Sequence, residues 1–163
     1  MSRALRVMRI LWAAIIASTV VFLVVLLRVG PRSASSPEPV VAYALVSVAA
    51  VIGVLSFVLP ARAYTQAARA RALPGDTDAR RIALVLYMTP FILSLALSEA
   101  VALNGFALGF LGFGLTWSVP LFVASWMLLL VRFPTERAIL SRFSRATGAQ
   151  VPPDEARGID IRY

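Results

Sequence analysis

Cysteine and histidine are both absent from the 163 residues, and so is lysine. Without cysteine there is no disulfide, no thiolate zinc site and no thiol nucleophile. Without histidine the chain lacks the commonest metal ligand and the side chain that titrates most readily near neutral pH. Acidic residues are scarce, eight in all, and the apolar stretches contain no pair of carboxylates that could divide general acid from general base. No glycine-rich phosphate-binding loop is present either. These gaps make an enzyme the least expected class and give no cofactor to expect. Every one of the sixteen basic residues is arginine, a bias in keeping with GC-rich coding.

Apolar residues fill the space these absences leave. They make up 60% of the chain, too much for the core of one water-soluble domain. Read along the chain, hydropathy gives four apolar runs, at about residues 10–27, 40–59, 82–112 and 115–131. A bilayer core needs roughly 20 helical residues to cross it. The runs lack the alternation of barrel strands, and only helices or closed barrels satisfy the backbone in lipid. The expectation is an all-α, integral membrane bundle of four transmembrane helices over residues 1–134. The third run exceeds one span, so its first turns up to Pro90 are expected at the interface or in a kinked helix. The first run is longer than the apolar core of a secretory signal, and Arg28 and Arg32 precede the small residues Ser33-Ala-Ser35. It therefore reads as a retained signal anchor.

Charge orients the bundle. Arg3, Arg6 and Arg9 precede the first run, and Arg62, Arg69, Arg71, Arg80 and Arg81 lie between the second and third. Arg132, Arg137, Arg142 and Arg145 follow the fourth, whereas the other side carries only Arg28 and Arg32. The positive-inside rule then places both termini and the middle loop in the cytoplasm, with a bacterial inner membrane as the expected location. The net charge of +8 is accordingly read as topogenic. Nucleic acid is not an expected partner, because no aromatic-rich basic surface accompanies the arginines.

Outside the runs the chain offers little. Residues 31–39 are rich in proline and serine and read as an irregular connection. The second helix is expected to continue through the alanines and arginines of 61–72 until Leu73-Pro-Gly75, with Asp76 or Thr77 capping the approach to the third. Residues 135–163 read as a basic cytoplasmic tail, partly disordered from Val151. Within it, Ile139, Phe143 and Ala146 recur at helical spacing beside Arg137, Arg142 and Arg145. That segment is read as a short solvated helix, with contact to anionic lipid through those arginines as the alternative.

Glu99 is the one acidic residue inside the apolar runs. A carboxyl at mid-bilayer costs about 2.5–3.5 kcal/mol on insertion scales. It marks either an ion site or a buried contact between helices. Ser47 and Ser56 on the second helix, with Asn104 on its own, are candidate polar neighbours; Glu99, Ser47 and Asn104 form the candidate proton or sodium site. Small residues at Ala96, Ala102, Gly105 and Gly109 on the third helix, and at Ala49 and Gly53 on the second, are the candidate close-packing positions.

The segment Leu95-Ala-Leu-Ser-Glu-Ala-Val-Ala-Leu-Asn-Gly-Phe-Ala-Leu-Gly-Phe-Leu111 resembles the carboxyl-bearing helix of the rotary ATP synthase proteolipid, subunit c. Glu99, Ala100 and Gly105 match that family's carboxyl, its adjacent alanine and its later glycine. The resemblance implies a helical hairpin with a basic cytoplasmic loop and an ion-binding role for Glu99. The preceding helix has only Gly53 where that family carries alternating glycines, and two further helices flank the hairpin. Two functions therefore stay open. One is a non-enzymatic membrane module that packs with itself or with a larger membrane complex; the other is a proteolipid-like protein exchanging an ion at Glu99.

Smaller expectations complete the reading. Trp12, Trp117 and Tyr87 lie near run ends as interfacial anchors, and Trp126 packs deeper between helices. Pro90 and Pro120 are structural kinks, and Ser18 and Thr19 bond back to their own helix.

Overall fold

The computed structural model describes residues 3–29, 38–71 and 79–147. They form α1 (Arg3–Val29), α2 (Pro39–Arg71), α3 (Ala79–Phe110), α4 (Leu115–Val131) and α5 (Glu136–Thr147). The all-α expectation holds throughout the described residues. The connection over 31–37, the break at 73–75, the cap at Asp76 or Thr77 and the tail from Val151 lie outside them.

Length separates the helices. α1, α2 and α3 have 27, 33 and 32 residues, or about 40–50 Å at the rise of an α-helix, against about 30 Å of hydrocarbon. These three are long and apolar enough to cross a membrane. α4 has 17 residues, roughly 25 Å, and makes a fourth span only if it and α5, bent from it by 74°, count together. The third apolar run does not divide at Pro90, because α3 is one helix through that residue. α2 likewise runs unbroken past Pro60 to Arg71.

α3 is the axis of the bundle. It packs against α1, α2, α4 and α5, whereas α1 leans on α3 and α4, and α2 on α3, α4 and α5. The share of its apolar window that is buried is 44%, against 11% for α1 and 17% for α2. α2 meets its neighbours through a narrow seam of Ala42, Ala49 and Ser56 at seven-residue spacing, followed by Tyr64 and Ala68. Its other sides present Val48, Val51, Val54, Phe57 and Val58 outward. Leu5 and Met8 of α1, Leu84 and Phe91 of α3, Leu129 of α4 and Ile139 of α5 form one apolar cluster. The start of α1, the start of α3 and the end of α4 therefore share one end of the bundle.

The tight turn between α3 and α4 follows from two glycines. Gly112 and Gly114 have φ of 93° and 80°, a region that costs residues with a Cβ. Phe113 N–H reaches Leu108 O and Gly112 N–H reaches Gly109 O, both at 3.2 Å, the paired bonds of a Schellman ending. This reversal lays α4 on α3 where Gly105 and Gly109 leave room. A Cβ on Gly105 would lie 3.0 Å from Leu121 Cβ and 3.0 Å from Ser118 O, and one on Gly109 would overlap Leu26 and Ser118. In lipid, where burial of apolar surface does not drive helices together, such close approach is a main source of association.

α5 corrects the solvated-helix reading. Ile139 and Phe143 are 1% and 3% exposed, Ile139 in the cluster just described and Phe143 against Tyr64, Ala68, Ala83 and Leu86. Buried Pro134 stops α4 because it has no N–H to continue the ladder. The chain then turns and docks the apolar side of α5 under the bundle, leaving Arg137, Arg142 and Arg145 exposed.

Close packing also ranks the glycines. Gly109→Ala will destabilise the detergent-solubilised protein by about 1–3 kcal/mol through overpacking. Gly53→Ala will be neutral or stabilising by up to about 1 kcal/mol, since a Cβ at Gly53 meets nothing within 4 Å. Thermal melts of the two variants check this; equal losses would remove the distinction.

Candidate functional site: a cationic cavity and the Glu99 contact

The most connected polar side chain in the described structure is Arg132, one residue past the end of α4. Its Nη1 donates to Ser94 O at 2.7 Å and to Ser98 Oγ, both on α3. Its Nη2 donates to Ser56 O and Ser56 Oγ on α2, each at 2.7 Å. The guanidinium carbon also lies 4.8 Å from the centre of the Phe57 ring, within cation–π range. One planar fork thus joins the end of α4 to the middle of α2 and α3.

Local sequence explains why Arg132 finds acceptors there. Pro60 has no N–H, so the carbonyl four residues before it, Ser56 O, loses its helical donor. Arg132 supplies the missing bond. On α3, Ser98 Oγ returns to Ser94 O at 2.8 Å, and Ser125 Oγ of α4 donates to Ser98 O at 2.7 Å. Ser56, Ser94, Ser98 and Ser125 are all buried. Their small side chains let three helices approach, and oxygens of Ser56, Ser94 and Ser98 accept what the arginine donates. The C-terminal end of α4 adds a favourable dipole for the cation.

Arg132 also lines a cavity of about 520 Å³. Tyr64, Thr65 and Arg69 of α2 line it, with Tyr87 and Pro90 of α3 and Arg142, Arg145 and Ala146 of α5. Arg142 Nη1 donates to Tyr87 Oη at 3.1 Å, and Arg145 Nε donates to Ser141 O of its own helix at 3.2 Å. Tyr64 is 5% exposed, packs edge-on to Tyr87 at 5.6 Å, and its hydroxyl has no hydrogen-bond partner among the described residues. The lining holds four arginines and no described carboxylate.

Glu99 lies elsewhere. Its carboxylate accepts a hydrogen bond from Ser18 Oγ of α1. The helix-two partner expected from sequence is therefore replaced by helix one, because Glu99 turns toward α1 while Ser98, one residue earlier, turns toward α4 and Arg132. Ser18 correspondingly does not bond back to its own helix, although Thr19 does, to Ile16 O at 2.8 Å. Ser47 is exposed, and Asn104 donates to Ala100 O within α3 at 2.8 Å. The three candidates Glu99, Ser47 and Asn104 are thus not brought together by any of these bonds.

The small-residue positions separate in the same way. Ala49, Ala102, Gly105 and Gly109 are buried, Ala96 is exposed, and Gly53 faces open space. Ala102 packs with Leu26 of α1 and Phe122 of α4, so the tight face of α3 beyond Glu99 meets α1 and α4, not α2. Trp126 packs between helices as expected, donating to Thr19 Oγ1 at 2.9 Å. Trp12 is half-buried, and its indole N–H donates to Leu129 O at 2.8 Å. Tyr87 is likewise a half-buried wall of the cavity, while Trp117 stacks edge-on with Tyr43 at 5.6 Å.

Sequence reasoning passed over Arg132, which it took as one more topogenic charge, and Ser94 and Ser98; Ser56 it named only as a candidate neighbour of Glu99. Two local signals pointed there: Ser94 and Ser98 at helical spacing, and Pro60 four residues after Ser56. Among the described residues no group of three or more metal-ligating side chains occurs. No protein-family model, curated protein or solved structure matches this chain. What the fold defines is a helical bundle with several membrane-competent helices and a cationic cavity at one end.

The Arg132 fork makes a quantitative expectation. Arg132→Gln leaves Ser56 O without a donor and will cost about 2–4 kcal/mol, from lost charged bonds and an orphaned carbonyl. Arg132→Lys will recover only part, because an ammonium lacks the planar fork. In a Pro60→Ala background, where residue 60 can donate to Ser56 O, the cost of Arg132→Gln will be smaller. A double-mutant cycle from thermal unfolding reads this coupling directly; strict additivity would break the link between Pro60 and Arg132.

Proposed function

We propose that this chain is a non-enzymatic integral membrane module that crosses the bilayer four times with both ends in the cytoplasm. The observation that carries the reading is the outward-facing apolar surface of α1 and α2. Val20, Val21, Val24 and Val25 on the first, and Val48, Val51, Val54 and Phe57 on the second, are all exposed. Lipid is the solvent that suits such sides, and Ser56, Ser94, Ser98 and Ser125 turn inward, as polar side chains do inside a membrane, although Ser47 does not. Supporting the orientation, Arg69, Arg132, Arg142 and Arg145 gather at one end, and Arg9 there lies 5.5 Å from the centre of the Phe133 ring. The positive-inside rule assigns that end to the cytoplasm. The module associates with itself or with a larger membrane complex, and α5 carries arginine contact to anionic lipid.

Under this reading Glu99 ties α1 to α3. A glutamine oxygen still accepts the Ser18 hydrogen bond, more weakly than a carboxylate oxygen does, and it carries no charge into the bundle. Glu99→Gln will therefore accumulate to the wild-type level and melt within about 1 kcal/mol of it. Carbodiimide labelling of Glu99 that sodium or high pH blocks, together with loss of function in Glu99→Gln, would instead assign the proteolipid-like ion exchange suggested by the segment around that residue.

The natural lack of cysteine supplies a clean background for mapping topology. Single cysteines at Gln66 and Arg137 will react with a membrane-impermeant maleimide only after cells are opened. Cysteines at Glu38 and Thr116 will react in intact cells. Release of the protein by alkaline carbonate, or equal labelling at all four positions in intact cells, would overturn the four-span reading.

A further inference from the structure

We propose that the cationic cavity between α2, α3 and α5 is a binding site for a phosphate-bearing group, supplied by the headgroup of an anionic phospholipid. The inference rests on the membrane reading above. Arg69, Arg132, Arg142 and Arg145 line one cavity of about 520 Å³ with no described carboxylate among them. Arg69, Arg142 and Arg145 are exposed and Arg132 is half-buried, and a guanidinium partly withdrawn from solvent without a counter-charge is costly. Arg132 offsets part of that cost through serine and carbonyl oxygens, which satisfy its hydrogen bonds but leave its charge uncompensated.

A second observation is independent of charge. Tyr64 is 5% exposed, lines this cavity, and its hydroxyl is a buried donor without a partner among the described residues. Buried polar groups left unpaired are rare, and each calls for an explanation. A phosphate oxygen in the cavity would accept from Tyr64 while the arginines neutralise its charge, the pairing for which guanidinium geometry is suited. The remaining wall chooses the source. Phe57 and Val131 line the same cavity and are 52% and 73% exposed, so the site opens beside an apolar surface along which acyl chains can lie. Basic pockets between membrane helices on the positively charged side hold headgroups in this manner.

The test uses the full-length protein purified in a neutral detergent. Its melting temperature is followed against short-chain phosphatidylglycerol in mixed micelles, with phosphatidylcholine and inorganic phosphate in parallel. Phosphatidylglycerol is expected to raise the melting temperature by several degrees, and the other two to have little effect. Replacing Arg69, Arg142 and Arg145 together by glutamine will weaken the apparent affinity by on the order of a hundredfold, at about fivefold per arginine. Tyr64→Phe, which keeps the ring, will weaken it by about fivefold. Arg6→Gln, whose exposed arginine on α1 lies outside the lining, will leave it unchanged and so controls for general surface charge. Equal stabilisation by inorganic phosphate at matched concentration would overturn the lipid source. An unchanged response in both the triple variant and Tyr64→Phe would overturn the site. Because the protein remains in detergent throughout, either result leaves the carbonate and maleimide tests of membrane insertion standing separately.

Discussion

The organisation of this bundle depends on one arginine, Arg132, whose side chain reaches inward from the end of α4. Arg132 sits where α4 ends, yet its guanidinium extends to backbone and hydroxyl oxygens of two other helices. In a low-dielectric interior such a charge survives only with its donors satisfied. Each feature around it serves that end. Pro60 frees a carbonyl, Ser94 and Ser98 present oxygens one helical turn apart, and Phe57 offers a ring face. Interhelical hydrogen bonds in membrane proteins contribute only about 0.6 kcal/mol each on average, so a residue making four with a charged donor sets the geometry more than any other polar contact described.

Around that fork the packing divides into two levels. Toward the α3–α4 turn, glycine and alanine bring backbones together, and Leu26, Ala102 and Phe122 fill the space between α1, α3 and α4. Toward the other end, larger side chains take over: Met8, Phe91, Leu129 and Ile139 are almost fully enclosed. The indoles of Trp12 and Trp126 stitch α1 to α4 at two heights. Glu99 fits this scheme as another interhelical tie, to Ser18. The result is a bundle whose interior is polar in small patches and whose outer sides are apolar, an arrangement suited to lipid and costly in water.

The docked α5 changes what the basic end is. A free arginine-rich tail would give only diffuse attraction to a charged surface. Because Pro134 turns the chain and Ile139 and Phe143 are buried, Arg142 and Arg145 instead line one cavity with Arg69 and Arg132, Arg142 bonded to Tyr87 of α3. Several cations thus share the lining of one cavity instead of being spread along a free tail. Tyr64, with its unused hydroxyl, is the feature that general electrostatics does not explain.

The helices themselves were legible in the chain, because apolar runs of this length have few alternatives in lipid, and proline and glycine mark their limits. α4 begins and ends where hydropathy placed it, at Leu115 and Val131, and the small residues at Gly105 and Gly109 identified a close-packing face. Which helices would meet on that face was not legible. Periodicity ranks positions around one helix but carries no information about the neighbour, so Glu99 was assigned to helix two when it bonds to helix one. The same limit hid Arg132, whose place at the end of an apolar run is shared by any topogenic arginine, and whose partners lie 34 to 76 residues away. Sequence alone determined where backbone had to be helical and which sides had to be apolar. The tertiary structure alone decided which oxygens Arg132 reaches, because that depends on the mutual rotation of α2, α3 and α4.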